Sequence, residues 1–170
     1  MKLFMRNILF GLCLLAVSVF FFGCRHEEKY SIIPYIEFVS LDKLDEGNGH
    51  DSQAYLTLYF HDGDGDIGLD DTDRDPVFSV DSPYYYNLFI DFYEKQNGEW
   101  VKLEFPTPLH ARVPHLSKDV PESIEGKLTI LTYINNPTSP YDTVQLSCCL
   151  VDRALHHSDT IFTPEIIVQK

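Results

Sequence analysis

Basic residues are scarce in this sequence. Across 170 residues, 13 lysines and arginines face 26 aspartates and glutamates, a formal net charge of −13. Such a chain is repelled by phosphate backbones and by anionic headgroups, which argues against nucleic acid as a partner and against an electrostatic grip on a membrane. Cysteine is scarce too. Of the four, Cys13 and Cys24 fall within the first two dozen residues. The remaining pair, Cys148 and Cys149, are adjacent, so on a strand they point to opposite faces and a disulfide between them would be strained. Cys148 reads as a core thiol and Cys149 as incidental. No stretch has helical periodicity of useful length. Neither G-x-S-x-G nor H-E-x-x-H occurs, and no phosphate-cradling glycine loop stands out, so the sequence is read as that of a non-enzyme. A single long apolar run exists, Ile8 to Phe22, and it is too short to span a bilayer comfortably.

That run has the surroundings of an export signal. Lys2 and Arg6 precede it and Gly23-Cys24 follows directly, the order expected of a secretory signal peptide. The stretch "FFGC" resembles a relaxed lipobox, the bacterial lipoprotein signal in which a small residue precedes the acylated cysteine. The resemblance implies a signal peptide over 1–23, lipid on Cys24, and a tether over 24–31. "RHEEKY" then resembles the short tag that directs Bacteroidota lipoproteins to the cell surface, with His26 where a lysine is usual. It implies an outer-membrane lipoprotein displayed at the surface, the periplasmic face being the alternative. Removal of Lys2 and Arg6 leaves 11 basic residues against the same 26 acidic ones, a charge of −15. Membrane attachment then falls to acyl chains, each buried CH₂ contributing about 0.8 kcal/mol. The rest, 32–170, suits one domain with a single core.

Beyond the tether, period-two alternation dominates. Ile32 to Ser40 reads as a strand. In "SQAYLTLYF", Ala54, Leu56, Leu58 and Phe60 face one way while Tyr55, Thr57 and Tyr59 face the other. Leu88, Ile90 and Phe92 form one arm of a hairpin, Asn97-Gly98 its turn, and Val101, Leu103 and Phe105 the returning arm. Lys127 to Ile134, Thr143 to Val151 and Thr160 to Val168 complete about seven strands, the count of an all-β sandwich. The stretch "VQLSCCLVDRALHHSDTIFTPEIIV" resembles the last hairpin of immunoglobulin-like and fibronectin type III-like domains, with Asp152 ending one strand and the next beginning near Thr160. Taken together with the acidic loop and the lipobox, the chain resembles small Bacteroidota lipoproteins bearing a "DGDGDIG" motif. That likeness implies an immunoglobulin-like antiparallel β-sandwich and an envelope location, and no reaction.

The densest chemistry lies in "HDGDGDIGLDDTDRD", residues 61–75. Calcium takes six to eight hard oxygen ligands, and carboxylates alternating with flexible residues supply them. Asp62, Asp64 and Asp66 occupy positions one, three and five of a twelve-residue calcium loop. Gly68 falls at seven, where the backbone carbonyl coordinates, Asp70 at nine and Asp73 at twelve. The register resembles an EF-hand loop, with two departures: Ile67 stands where glycine makes the sharp turn, and the twelfth ligand is aspartate rather than glutamate. Two like charges about 4 Å apart repel by about 4 kcal/mol at an effective dielectric near 20, so these acids converge only around a cation. The alternative is a solvated acidic turn that binds nothing. In a sandwich of this kind the acidic loop shares an end with the last hairpin turn, which predicts Asp152 beside it.

Paired carboxylates also serve glycoside hydrolysis, but catalytic acids need environments that separate their pKa values, and this loop offers the opposite. His156 and His157 diverge on extended backbone, and with His110 and His115 they read as surface residues. "SPYYY" places Tyr84, Tyr85 and Tyr86 together, either as packing or as a platform for sugar rings. The expectation is therefore a membrane-tethered, calcium-stabilised binding or scaffolding module, acting with an envelope protein complex, with a glycan-binding module and then a hydrolase as the competing readings.

Overall fold

Why these segments become strands is visible in the first long one. Ala54, Leu56, Leu58 and Phe60 are all buried while the residues between them are not, so one face of an extended chain is withdrawn from water at every second position. The computed structural model describes residues 30–44, 47, 49–73, 75–116 and 122–170. The signal segment, Cys24 and the tether up to residue 29 lie outside the described residues. The strands are β1 (Tyr35–Lys43), β2 (Gln53–Asp62), β3 (Leu88–Gln96), β4 (Glu99–Leu103), β5 (Ile124–Tyr133), β6 (Thr143–Leu150), β7 (Ile161–Phe162) and β8 (Ile166–Ile167).

They form two antiparallel sheets. One runs β1-β2-β5 and the other β4-β3-β6-β7, with β8 also on β6. The chain changes sheets between β2 and β3 and again between β4 and β5 and between β5 and β6, which is the immunoglobulin-like sandwich arrangement. Ala54, Leu56, Leu58 and Phe60 of one sheet meet Leu88, Ile90, Phe92, Val144, Leu146 and Leu150 of the other in one core. Each fully buried side chain of this size contributes about 1.5–3 kcal/mol. Cys148 belongs to that core, and burial pushes its thiol up to about 12. At the β3–β4 turn Asn97 and Gly98 hold φ of 53° and 93°, the left-handed pair a two-residue hairpin requires.

The structure departs from the alternation in places, β5 for one starting at Ile124 rather than Lys127. The first strand starts at Tyr35 rather than Ile32, leaving Ile32 and Ile33 exposed. Within it Phe38 faces Leu58 but Ser40 faces Thr57, so Val39 is an extra residue, a bulge that keeps both Phe38 and Leu41 turned to the core. The closing strand is broken in two, because Pro164 has no N–H for the ladder. Ser147 pairs with Phe162 and Val144 with Ile166, and Thr163 bridges the gap by donating its backbone N–H to Leu146 O and accepting the Leu146 N–H on its hydroxyl.

Candidate functional site

Two core stripes run out into aspartate at the same end of the sandwich. The inward face of β2 is Ala54, Leu56, Leu58, Phe60 and then Asp62. The inward face of β6 is Val144, Leu146, Cys148, Leu150 and then, one step past the strand, Asp152. The same period-two geometry that buries leucine buries these carboxylates, and Asp62 is 0% exposed and Asp152 2%. Because β2 and β6 belong to facing sheets, their ends meet. Asp66, carried back by the turn after β2, completes the group: one carboxylate oxygen from each of Asp62, Asp66 and Asp152 lies within 4.8 Å of the other two.

The turn is knit by its own acids. Asp62 Oδ2 accepts the Asp66 N–H at 3.0 Å, and Asp66 Oδ2 accepts the Ala154 N–H at 3.1 Å. Asp152 Oδ1 accepts the His156 N–H at 2.7 Å, and its Oδ2 lies 2.8 Å from His156 Nδ1. What is left over is informative. The Oδ1 atoms of Asp62, Asp64 and Asp66 are shut away from solvent without a hydrogen-bond partner in the protein. A buried acceptor left unmatched costs about 1–3 kcal/mol, more when charged. Burial, then the charges of Asp64 and Asp66, push Asp62 up to about 7; the Asp66 N–H pulls the other way, and Asp152 adds a smaller upward push. Asp66 is raised by burial and by Asp152 and Asp64, with the Ala154 N–H and His156 opposing. Carboxylate oxygens are hard ligands, so the donor set fits calcium or magnesium rather than zinc.

The second half of the loop is arranged otherwise. Ile67, which stands where a calcium loop has glycine, is fully buried in the core, and its carbonyl accepts the Leu116 N–H. It plugs the end of the sandwich, and the chain beyond it runs along residues 113–116 instead of curling around an ion. Gly68 holds φ of +113°, and a Cβ there would sit 2.2 Å from the Pro114 carbonyl oxygen, a position that tolerates no side chain. The Gly68 carbonyl accepts from Arg153 at 3.4 Å and the Asp70 carbonyl from Arg112 at 2.8 Å. Asp73 is bound by both ends of the Arg153 guanidinium, at 2.6 and 2.9 Å, which holds its carboxyl below the usual range. Of the seven positions expected to coordinate, Asp62, Asp66 and Asp152 are brought together, Asp64 lies beside them, and Gly68, Asp70 and Asp73 are turned toward arginines. Gly63, Gly65 and Gly68 also have the formal spacing G-x-G-x-x-G. Within the described residues only the single 3-10 turn Pro76–Phe78 follows, not an α-helix whose N-terminus could receive a phosphate, and aspartates fill the gaps, so the loop repels a pyrophosphate rather than cradling it.

Two participants escape sequence reasoning. Arg153 latches the last hairpin turn onto the loop, and His156, whose side chain stays 36% exposed as expected of a surface residue, also caps Asp152, whose hydrogen bond and charge raise the imidazole above its ordinary value. The i,i+4 spacing of Asp152 and His156 was the available signal, visible only to a reader who knew that Asp152 points inward. Tyr85 and Tyr86 meet edge-on, with ring centroids 4.9 Å apart and planes at 74°. Tyr84 meets Phe89 and His157 edge-on, Tyr85 packs under Arg112, and Tyr86 meets His110. They present no common flat face. Comparison with protein-family models, with curated proteins and with solved structures returns no match.

Proposed function

We propose that this chain is a lipid-anchored cell-envelope protein, held at the outer membrane through Cys24 and displayed at the cell surface, whose sandwich is stiffened at one end by calcium and serves as a binding or scaffolding module. The calcium reading is carried by Asp62: a fully buried carboxylate with one oxygen unpartnered, facing two further carboxylates on a second loop residue and a second sheet. Carboxylates that share one environment suit an ion, whereas acid–base chemistry needs pKa values held apart. Asp62, Asp66 and Asp152 would hold the ion, with Asp64 beside them, and the ion would supply the positive charge that lets the two sheets close at this end. The anchor is supported by the order of Lys2, Arg6, the apolar run and Gly23-Cys24.

Calorimetric titration of the full chain in detergent tests the ion. Binding in the range of about 10⁻³ M or tighter is expected for calcium, with loss of the heat in Asp62→Asn and in Asp152→Asn. The same melting curve in chelator and in millimolar calcium would remove calcium from the protein. For the anchor, incorporation of an alkyne fatty acid in cells should disappear with Cys24→Ala.

A further inference from the structure

The chain reaches the sandwich at its acidic end. The Ser31 carbonyl accepts the Gly63 N–H at 2.8 Å. Tyr30 stacks on His61 at 4.2 Å between centroids, and His61 stacks in turn on Tyr35 at 4.7 Å. The Tyr30 hydroxyl donates to Glu125 at 2.6 Å. Gly63 is what permits this approach, since a Cβ there would lie 2.3 Å from the Tyr30 carbonyl oxygen and 2.7 Å from that of Ser31. The incoming segment is thus fixed to the residues on either side of Asp62.

From Cys24 to Tyr30 is six residues, a reach of at most about 20 Å for extended chain. β2 alone has ten residues, about 30 Å along the sandwich. With Cys24 carrying lipid, as proposed for the anchor, the Asp62–Asp66–Asp152 end must stay close to the bilayer. The Asn97-Gly98 turn and the C-terminal strand end, where Gln169 meets Asp51, then point away from it. We propose that the acidic end of the sandwich is its membrane-facing surface, and that a divalent cation in the Asp62–Asp66–Asp152 cluster is what lets it lie against a net-negative, phosphate-bearing lipid surface. The physical reason is charge. The exposed Asp71, Asp75 and Asp81 lie on or next to the same loop, where carboxylates outnumber Arg112, Arg153 and His156, so without a cation the net interaction with anionic headgroups within a Debye length of about 10 Å is repulsive. Its opposite end is left free for partners.

Trp100 is the single tryptophan and lies near the start of β4 at the far end, so the native protein carries one probe. The second is Thr72→Trp combined with Trp100→Phe, placed on the exposed loop. The full lipidated chain is reconstituted into vesicles of phosphatidylethanolamine and phosphatidylglycerol with a trace of dansyl-labelled lipid, and energy transfer from tryptophan is read with calcium and with chelator. Transfer several-fold stronger from position 72 than from Trp100, falling with chelator in these vesicles but not in phosphatidylcholine vesicles, is the expected result. Equal transfer from the two positions, or stronger transfer from Trp100, overturns the orientation. A position-72 signal indifferent to chelator overturns the role of the cation at the membrane. Melting curves of the same protein in detergent keep the cases apart: if calcium shifts them while the transfer stays fixed, the ion is bound and only the membrane inference falls. If calcium shifts neither, the site itself is lost. Protein that does not float with the vesicles counts against the lipid on Cys24.

Discussion

Asp62 is where the competing forces in this protein are sharpest. It is placed by the strand register that buries Phe60 and Leu58, so its burial follows from the core and its charge does not. Replacement by asparagine keeps the shape, and the amide can donate to the Asp64 or Asp66 carboxylates. In chelator, Asp62→Asn is therefore expected to stabilise the domain at pH 7 by on the order of 1–3 kcal/mol, while calcium no longer raises the melting temperature. Thermal unfolding with and without the ion checks both signs. The pH dependence follows from the same residue. In the folded protein Asp62 is raised from its ordinary 3.8 to about 7, so the fold binds this proton more tightly than the unfolded chain does. Its contribution is complete below about pH 4 and is lost as pH rises through 7. His156, raised by Asp152, acts in the same direction near neutrality. Metal-free protein should melt at a progressively lower temperature between pH 5 and pH 8, and saturating calcium should flatten or reverse that slope.

At the scale of elements, the sheets tolerate irregularity where it leaves the inward face intact. Val39 is an extra residue, and its deletion still leaves Ile36, Phe38 and Leu41 turned to the core. Deletion of Thr57 in the middle of β2 would instead turn Ala54 and Leu56 outward, or Leu58 and Phe60, since one residue of slip exchanges the faces of a strand. The first deletion should give a folded protein with a cooperative melt, and the second should give none. The alternation read from the sequence located β2, β3 and β6 closely, because strands with one buried face carry their register in every second residue. It missed the ends of β1 and the split in the closing strand, because a bulge and a Pro164 break depend on what the partner strand offers. The loop shows the same division. Its carboxylates were legible, yet their register was not, since Ile67 is held by the core rather than by an ion.

For the molecule as a whole, surplus negative charge is concentrated at one end and opposed there by Arg153, Arg112 and His156. Monovalent salt screens exposed charges but acts weakly on buried ones, with the Debye length falling from about 10 Å at 0.1 M to about 3 Å at 1 M. Raising sodium chloride in chelator should accordingly recover only part of the stabilisation expected from calcium, because the Oδ1 oxygens of Asp62, Asp64 and Asp66 are out of reach of solvent. Full recovery by salt alone would mean that the acids repel one another through water and form no internal cluster.

Composition and alternation by themselves determined that the chain is acidic, built of strands and closed into a sandwich with an aspartate-rich loop at one end. These are local properties, written in charge counts and in a period of two. Sandwich topology already placed Asp152 beside the loop, but that it joins Asp62 and Asp66 rather than the loop's later acids, that Arg153 takes Asp73 away from them, and that the incoming segment lands on Gly63 were decided only by the tertiary structure. Each joins residues far apart in the chain, and their proximity is set by how two sheets pack rather than by any spacing along the sequence.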